Sequence, residues 1–279
     1  MTTVSRPALL EEFLKLGAFF RRNLLTAVSY RLAFVADWFN LVLQLLIFSL
    51  VGRLVDPTRI PEIGGRPISY IEFVTVGIAL MSFVQIALSR VLSALRQEQL
   101  IGTLDFLLTT PIAPTTLQIG LVIYDLFYVP LRTAVFLALA TLFFDISLAG
   151  SGFLPVLVIL LAFIPFVWGL GMISSAATLT FRRGTGVMGL IIGAFTVLSA
   201  AYIPLEALPG WARGFATINP FTLALTSARD SLLGGAGWEP VPRAVAVFLP
   251  LAAISITVGV LSFRLAMRRE RRLGTLGGY

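Results

Sequence analysis

The chain has 279 residues, 57% of them apolar and 13% charged, with a formal net charge of +7 and a mean hydropathy of +0.93. Such values lie outside soluble domains and mark an integral membrane protein. With no cysteine and no histidine, disulfide frameworks, thiolate or imidazole catalysis and the commonest zinc sites are excluded. No catalytic residue and no metal site is expected.

In chain order, the stretch RPALLEEFLKLGAFFRRNLL repeats Leu9, Phe13, Leu16, Phe20 and Leu24 at helical spacing, with Glu11, Glu12, Lys15 and Arg22 mostly elsewhere around the helix. This spacing predicts an amphipathic helix within residues 1–30, lying in the cytoplasmic interface with its charges toward water. The same charges interrupt the apolar core that a cleavable signal would need. Apolar runs then predict an all-α domain over 31–267 with six transmembrane helices, at about 32–54, 70–93, 117–144, 153–180, 186–204 and 244–263. Between the last two, residues 205–235 read as short outer-leaflet helices: Leu205, Leu208 and Trp211 suggest one. Asn219 before Pro220 opens another, which Gly234 and Gly235 stop. Residues 268–279 form a basic tail.

Orientation follows from arginine and lysine placement. Arg6, Lys15, Arg21, Arg22 and Arg31, then Arg90, Arg96, Arg182 and Arg183, then Arg264, Arg268, Arg269, Arg271 and Arg272 share one side. That side is expected to be cytoplasmic, with both termini there, in the inner (plasma) membrane. The opposite loops hold fewer arginines, among them Arg66, Arg213 and Arg229, offset by Asp56, Glu62, Glu206, Asp230 and Glu239. Positive charge therefore reads as topology, not as a nucleic-acid surface, although the tail RRERR would also attract anionic lipid headgroups.

Polar positions inside the spans are few. On the second, Glu72, Thr75 and Ser82 fall on one side, with Gln85 nearby; on the fifth, Gly186, Gly189, Gly193, Thr196 and Ala200 form a small, weakly polar stripe. Close helix packing is one reading of that stripe. On the third, Gln118, Asp125 and Arg132 recur every seven residues. A central arginine costs at least about 2.5 kcal/mol on insertion scales, so partners are required. A structural network with Asp37 or Gln44 of the first span is the first reading, and contact with substrate or lipid the second.

The stretch RQEQLIGTLDFLLTTP, residues 96–111, interrupts the apolar pattern on the cytoplasmic side. Leu100, Ile101, Leu104, Leu107 and Leu108 project onto one arc of a helix, leaving Glu98, Asp105 and Phe106 outside it. Thr103 suits an N-cap, Asp105 suits the first turn's dipole, and Pro111 ends the helix.

These residues carry a resemblance. Glu98, Gly102, Thr103, Leu104, Asp105, Leu107, Leu108, Thr110 and Pro111 resemble the first cytoplasmic loop of ABC transporter permeases of the ABC-2 (type-2 exporter) family. The stretch LPGWARGFATINPFTLALTSARDSLLGG is similar to that family's outer segment. The resemblance implies a non-catalytic permease subunit that exports a drug, lipid or lipid-linked glycan. It implies a coupling helix at about 98–110, with Glu98, Gly102, Thr103, Leu104, Asp105, Phe106 and Leu107 as ATPase-coupling residues. It further implies a pathway lined by the second and fifth spans, with Glu72, Thr75, Ser82, Gln85 and Thr196 as candidates.

Its partners would be two copies of an ABC ATP-binding subunit, which carry ATP and Mg, a second permease copy (identical or related) and membrane lipids. This chain would itself bind no cofactor. A phosphate-binding loop needs a lysine near the phosphates, and the one lysine here is Lys15, in EEFLKLG. The ATPase must then be another chain. The competing class, an ATP-independent transporter or channel, would favour repeated halves with broken helices. An enzyme acting on lipid within the membrane would need clustered catalytic groups, which are lacking.

Overall fold

A helix satisfies the backbone hydrogen bonds of an apolar segment within the segment itself, and helix dominates this fold. The structure, a computed structural model, describes residues 8–29, 31–55, 60, 62–101, 114–144, 146–180 and 184–273. Among them the helices are α1 (Ala8–Ser29), α2 (Arg31–Gly52), α3 (Tyr70–Ile101), α4 (Pro114–Phe144), α5 (Phe153–Thr180), α6 (Gly184–Val197), α7 (Gly210–Ile218), α8 (Pro220–Leu232) and α9 (Val241–Leu273).

Among the described residues, four helices contain stretches long and apolar enough to cross a membrane: Tyr70–Leu88, Ile123–Phe144, Gly150–Ala177 and Val241–Ala266. The apolar part of α2 is shorter, Trp38–Gly52. A correction concerns the end of the fifth expected span, 186–204. Its helix, α6, stops at Val197 after 14 residues, about 21 Å at 1.5 Å per residue against a hydrocarbon core about 30 Å thick. Residues 198–203 leave the helix in turns, with Ala200 in the left-handed region at φ 59°. The other expected spans coincide with helices, several of which run longer; α3 continues without a break from Tyr70 to Ile101. The two expected outer helices are present as α7, preceded by a 3-10 turn at Leu205–Ala207, and as α8.

The core lies where α3, α5, α8 and α9 meet. Phe83, Phe163, Phe221 and Phe248 are its largest fully buried side chains. Phe163 stands 4.9 Å from Phe248 and meets Phe221 edge-on at 5.6 Å, and Phe195 meets Phe221 edge-on at 6.0 Å. One aromatic cluster therefore joins α5, α6, α8 and α9.

The closest helix pair is α5 and α9, which run in the same direction. A Cβ on Gly169 would lie 2.2 Å from Ser255 Oγ and 2.4 Å from Ser255 C, and one on Gly259 would lie 2.9 Å from Gly169 O. Ser255 and Gly259, four apart, thus form a small-residue face that lets the backbones approach, and Ser255 Oγ donates to Phe166 O at 3.2 Å. Val247, Ile254, Val258, Leu261 and Leu265 lie exposed on α9, as expected of a face turned to lipid.

The amphipathic α1 packs against α4. Phe19 is buried over Gly120, Asn23 Nδ2 donates to Gly120 O at 3.1 Å, and Phe20 meets Phe127 edge-on at 5.6 Å. The apolar line read from the sequence is only partly used in this contact: Phe20 docks while Leu24 stays exposed.

Replacing Gly169 with Leu is expected to wedge α5 from α9 and to destabilise the fold by about 1–3 kcal/mol. A lowered thermal-unfolding midpoint in detergent checks this; an unchanged midpoint would contradict the close approach.

Candidate functional site

The turn after α6 leaves backbone carbonyls without helical partners, because the last four C=O groups of any helix lack them. In this chain α8 supplies the donors. Asn219 caps α8, its Oδ1 accepting from Phe221 N at 3.0 Å, while its Nδ2 donates to Phe195 O at 2.8 Å. Pro220 follows at the first helical position, where its missing N–H costs nothing. Thr222 Oγ1 lies 3.5 Å from Leu198 O. One turn before the end of α8, Arg229 is buried at 3% exposure.

The Arg229 guanidinium makes four hydrogen bonds to three carbonyls: Nη1 to Ala200 O (2.9 Å), Nη2 to Ala201 O (2.8 Å) and Nε and Nη2 to Phe73 O (3.3 and 3.1 Å). It also lies 3.5 Å over the ring of Phe73, a cation–π contact. All its acceptors are backbone oxygens of α3 and of the segment after α6. A cation at a helix C-terminus complements the helix dipole, and arginine's planar fork reaches acceptors from two elements at once. Gly77 permits the approach: a Cβ there would lie 2.1 Å from Ala201 O. Ala200 holds its left-handed conformation, which costs about 1–2 kcal/mol for a residue with a side chain, between these bonds.

The start of α3 carries a second polar cluster. Ser69 and Glu72 form a capping box: Ser69 Oγ accepts from Glu72 N (3.3 Å) and Glu72 Oε2 accepts from Ser69 N (2.7 Å). Glu72 Oε1 also accepts from Arg66 Nη2 (2.9 Å) and Ser147 Oγ (3.0 Å), and Arg66 donates to Ser147 Oγ as well. The loops before α3 and after α4 are thereby tied to its first turn. Arg66 closes a two-residue turn in which Gly64 and Gly65 both have positive φ, the geometry of a tight hairpin. A Cβ on Gly64 would lie 2.4 Å from Gly234 O, so this turn rests on the end of α8. From the other side, Ala149 N donates to Leu232 O at 2.7 Å.

Of the sequence-predicted pathway residues, Glu72 is engaged in this cluster and Thr75 is fully buried, its hydroxyl donating to Ile71 O at 2.6 Å. Ser82 and Thr196 are half-buried and Gln85 is exposed. A Cβ on Gly189 or Gly193 would meet nothing within 4 Å among the described residues, whereas Ala200 at the end of the stripe is buried. Of the intramembrane set, Asp125 and Arg132 are buried, with Arg132 5.9 Å over the ring of Trp38 on α2, and Gln44 is half-buried. The side chains of Asp37 and Gln118 lie outside the described residues. So does that of Glu98, which sits on the last turns of α3, and so do Gly102, Thr103, Leu104, Asp105, Phe106 and Leu107 altogether.

Sequence reasoning missed two features. Arg229 was counted among outer-loop charges, although it falls seven residues after Thr222, on the same face of a helix whose cap was recognised. The Ser69-x-x-Glu72 capping box was equally open to reading.

The sequence profile of the ABC-2 type transporter family matches residues 15–233, from α1 past the end of α8. The chain belongs to that family. Two relatives extend the comparison. The daunorubicin resistance ABC transporter permease protein DrrB1 of Streptomyces coeruleorubidus is 27% identical over 233 residues, covering 79% of this chain and 77% of the relative. ABC transporter G family member 20 of Dictyostelium discoideum is 29% identical over 213 residues, covering 74% of this chain but only 28% of that longer protein. As an ABC-2 permease the chain is a multi-pass membrane protein of a transporter. Asn219, Thr222 and Arg229 all fall inside the matched region.

Arg229→Met should leave Ala200 O and Ala201 O unsatisfied and cost about 2–5 kcal/mol, since a buried orphaned acceptor costs about 1–3 kcal/mol. Thermal unfolding in detergent reads this against Arg213→Met. Arg213 bonds carbonyls from an exposed position on α7, so its loss should shift the midpoint much less; equal shifts would contradict the hub.

Proposed function

We propose that this chain is the non-catalytic membrane subunit of an ABC exporter in the inner (plasma) membrane, with both termini cytoplasmic. Six spans form the bundle, α2 and the shorter α6 among them. ATP and Mg are held by two copies of a separate ATP-binding subunit that dock on residues 98–110. The cargo is a lipophilic or amphipathic molecule. That the DrrB1 relative is named for daunorubicin resistance favours a drug-like compound over the lipid and glycan classes.

The observation that carries this reading is the continuity of α3. Its 32 residues extend about 48 Å, well beyond a hydrocarbon core of about 30 Å. One rigid rod therefore runs from Glu98, at the edge of the coupling segment, to Phe73, whose carbonyl holds Arg229. When nucleotide closes the ATP-binding subunits, the pull on residues 98–110 tilts α3. Its outer end then shifts against α8 and the turn after α6. Such a movement of packed helices between two arrangements is a recognised mode of switching, and it gives the outer helices a gating role.

A second permease copy completes the pathway across α6. Gly189 and Gly193 face open space, and Leu190, Phe195 and Val197 beside them are exposed. The copies meet on this face, with Ser82, Gln85 and Thr196 bordering the cavity between them.

Two measurements test these assignments. Phe106→Asp is expected to abolish transport-stimulated ATPase activity of the co-expressed complex while insertion and folding persist; unchanged coupling would sink the docking assignment. Because the chain has no native cysteine, Gly193→Cys offers a clean test of the second copy. Mild oxidation in membranes should yield a disulfide-linked dimer, and monomer alone would contradict a homodimer across α6.

A further inference from the structure

Past the close contact at Gly259 and Met172, α5 and α9 part to leave a cleft of about 360 Å³. Its walls are Ile173, Ala176 and Ala177 on α5 and Ser262 and Ala266 on α9, with the largely exposed Leu265 at its edge. The alanines leave the space: larger side chains at these positions would fill it, as Met172 fills the level above. Leu265 belongs to the outward face of α9, so the cleft opens toward lipid.

The cleft crosses the boundary of the membrane segment. The apolar stretches of the two helices end at Ala177 and Ala266, and the alanine walls lie within these limits. Thr180 and Arg269 line the cleft one turn further along each helix, at the level of the headgroups. The cleft is thus mostly apolar inside the bilayer, with Ser262 as its one polar side chain there, and closes on a hydroxyl and a guanidinium at its surface. The surrounding charge has one dominant sign. The final turns of α9 carry Arg264, Arg268, Arg269, Arg271 and Arg272 against Glu270 alone, and Arg182 and Arg183 follow Thr180 in the sequence.

We propose that this cleft binds an anionic phospholipid, one acyl chain lying along Ala176, Ala177 and Ala266 and the phosphate on Arg269. A neutral amphiphile would leave the guanidinium unused, and a cationic one would be repelled by the cluster. Basic pockets between transmembrane helices on the positively charged side suit acidic headgroups. The site lies away from the turn after α6 and stands whether or not the export reading does, because it requires only the membrane setting.

The test uses the purified full-length chain, exchanged into detergent micelles holding equal amounts of phosphatidylglycerol and phosphatidylcholine, with retained lipid read by native mass spectrometry. Phosphatidylglycerol should be retained over phosphatidylcholine by about five-fold, the scale expected from one arginine at an anionic surface. Arg269→Gln should remove this preference, and Ala177→Trp, which fills the cleft, should abolish retention of both lipids. Arg269 is exposed beyond the span, so its replacement disturbs no packing and keeps the test decisive even where Ala177→Trp fails to fold. Wild-type retention in Arg269→Gln would overturn the site. So would equal losses in Arg268→Gln and Arg269→Gln with Ala177→Trp unaffected, which would mean diffuse attraction to the basic tail.

Discussion

A helix that ends inside an apolar bundle leaves carbonyl oxygens that neither lipid nor apolar side chains can satisfy, and one end of this molecule is arranged around that need. The turn after α6 presents Phe195 O, Leu198 O, Ala200 O and Ala201 O, and α8 answers with Asn219, Thr222 and Arg229. These three side chains fall within about 80° of one helix face at 100° per residue, so a single orientation of α8 serves all four oxygens. That orientation also drives Phe221 into the aromatic cluster with Phe163 and Phe195. Polar satisfaction and apolar burial thus demand the same pose.

The pose of α8 in turn fixes the loops beside it. Its C-terminal end is approached by backbone from two sides, Gly64 at Gly234 and Ala149 at Leu232. No side chain fits between Gly64 and Gly234, and the hairpin carrying Gly64 ends at Arg66, which binds Glu72 and Ser147. A closed circuit results: α3 holds the loops through Glu72, the loops hold α8, and α8 returns to α3 through Arg229 and Phe73 O. Displacing any member strains the other two. This is the property required of an element that passes a movement between the two sides of a membrane.

The long apolar helices and the short helices before α9 were legible in the sequence because apolar length and the Asn219-Pro220 cap are local signals. The early end of α6 was not. Its cause is tertiary: residues 198–203 are apolar enough to continue a helix, and they turn away because side chains on α8, some 20 to 30 positions later in the chain, donate to the released carbonyls. Arg229 was hidden for the same reason, since an arginine whose acceptors are all backbone oxygens needs no acidic partner that a sequence could reveal. Arg132, by contrast, stood out because of its depth and its seven-residue spacing from Asp125. Its contact with the Trp38 ring lies one position from the Asp37 expected as a partner, on the same span.

Packing divides the bundle into parts suited to different tasks. Where Gly169, Ser255 and Gly259 bring α5 and α9 into backbone contact, little relative motion is possible without breaking many small contacts at once, since packed interiors respond to displacement in steps. The opposite holds for α6. It is short, Gly189 and Gly193 meet no neighbour among the described residues, and beside its packing on α5 and the Phe195–Phe221 contact it is held by hydrogen bonds from α8 at the end next to the turn. Hydrogen bonds to carbonyls can exchange partners over small displacements, whereas interlocked side chains cannot. A movement delivered along α3 would therefore be taken up at the turn after α6, while α5 and α9 stay fixed relative to each other as the frame against which it occurs.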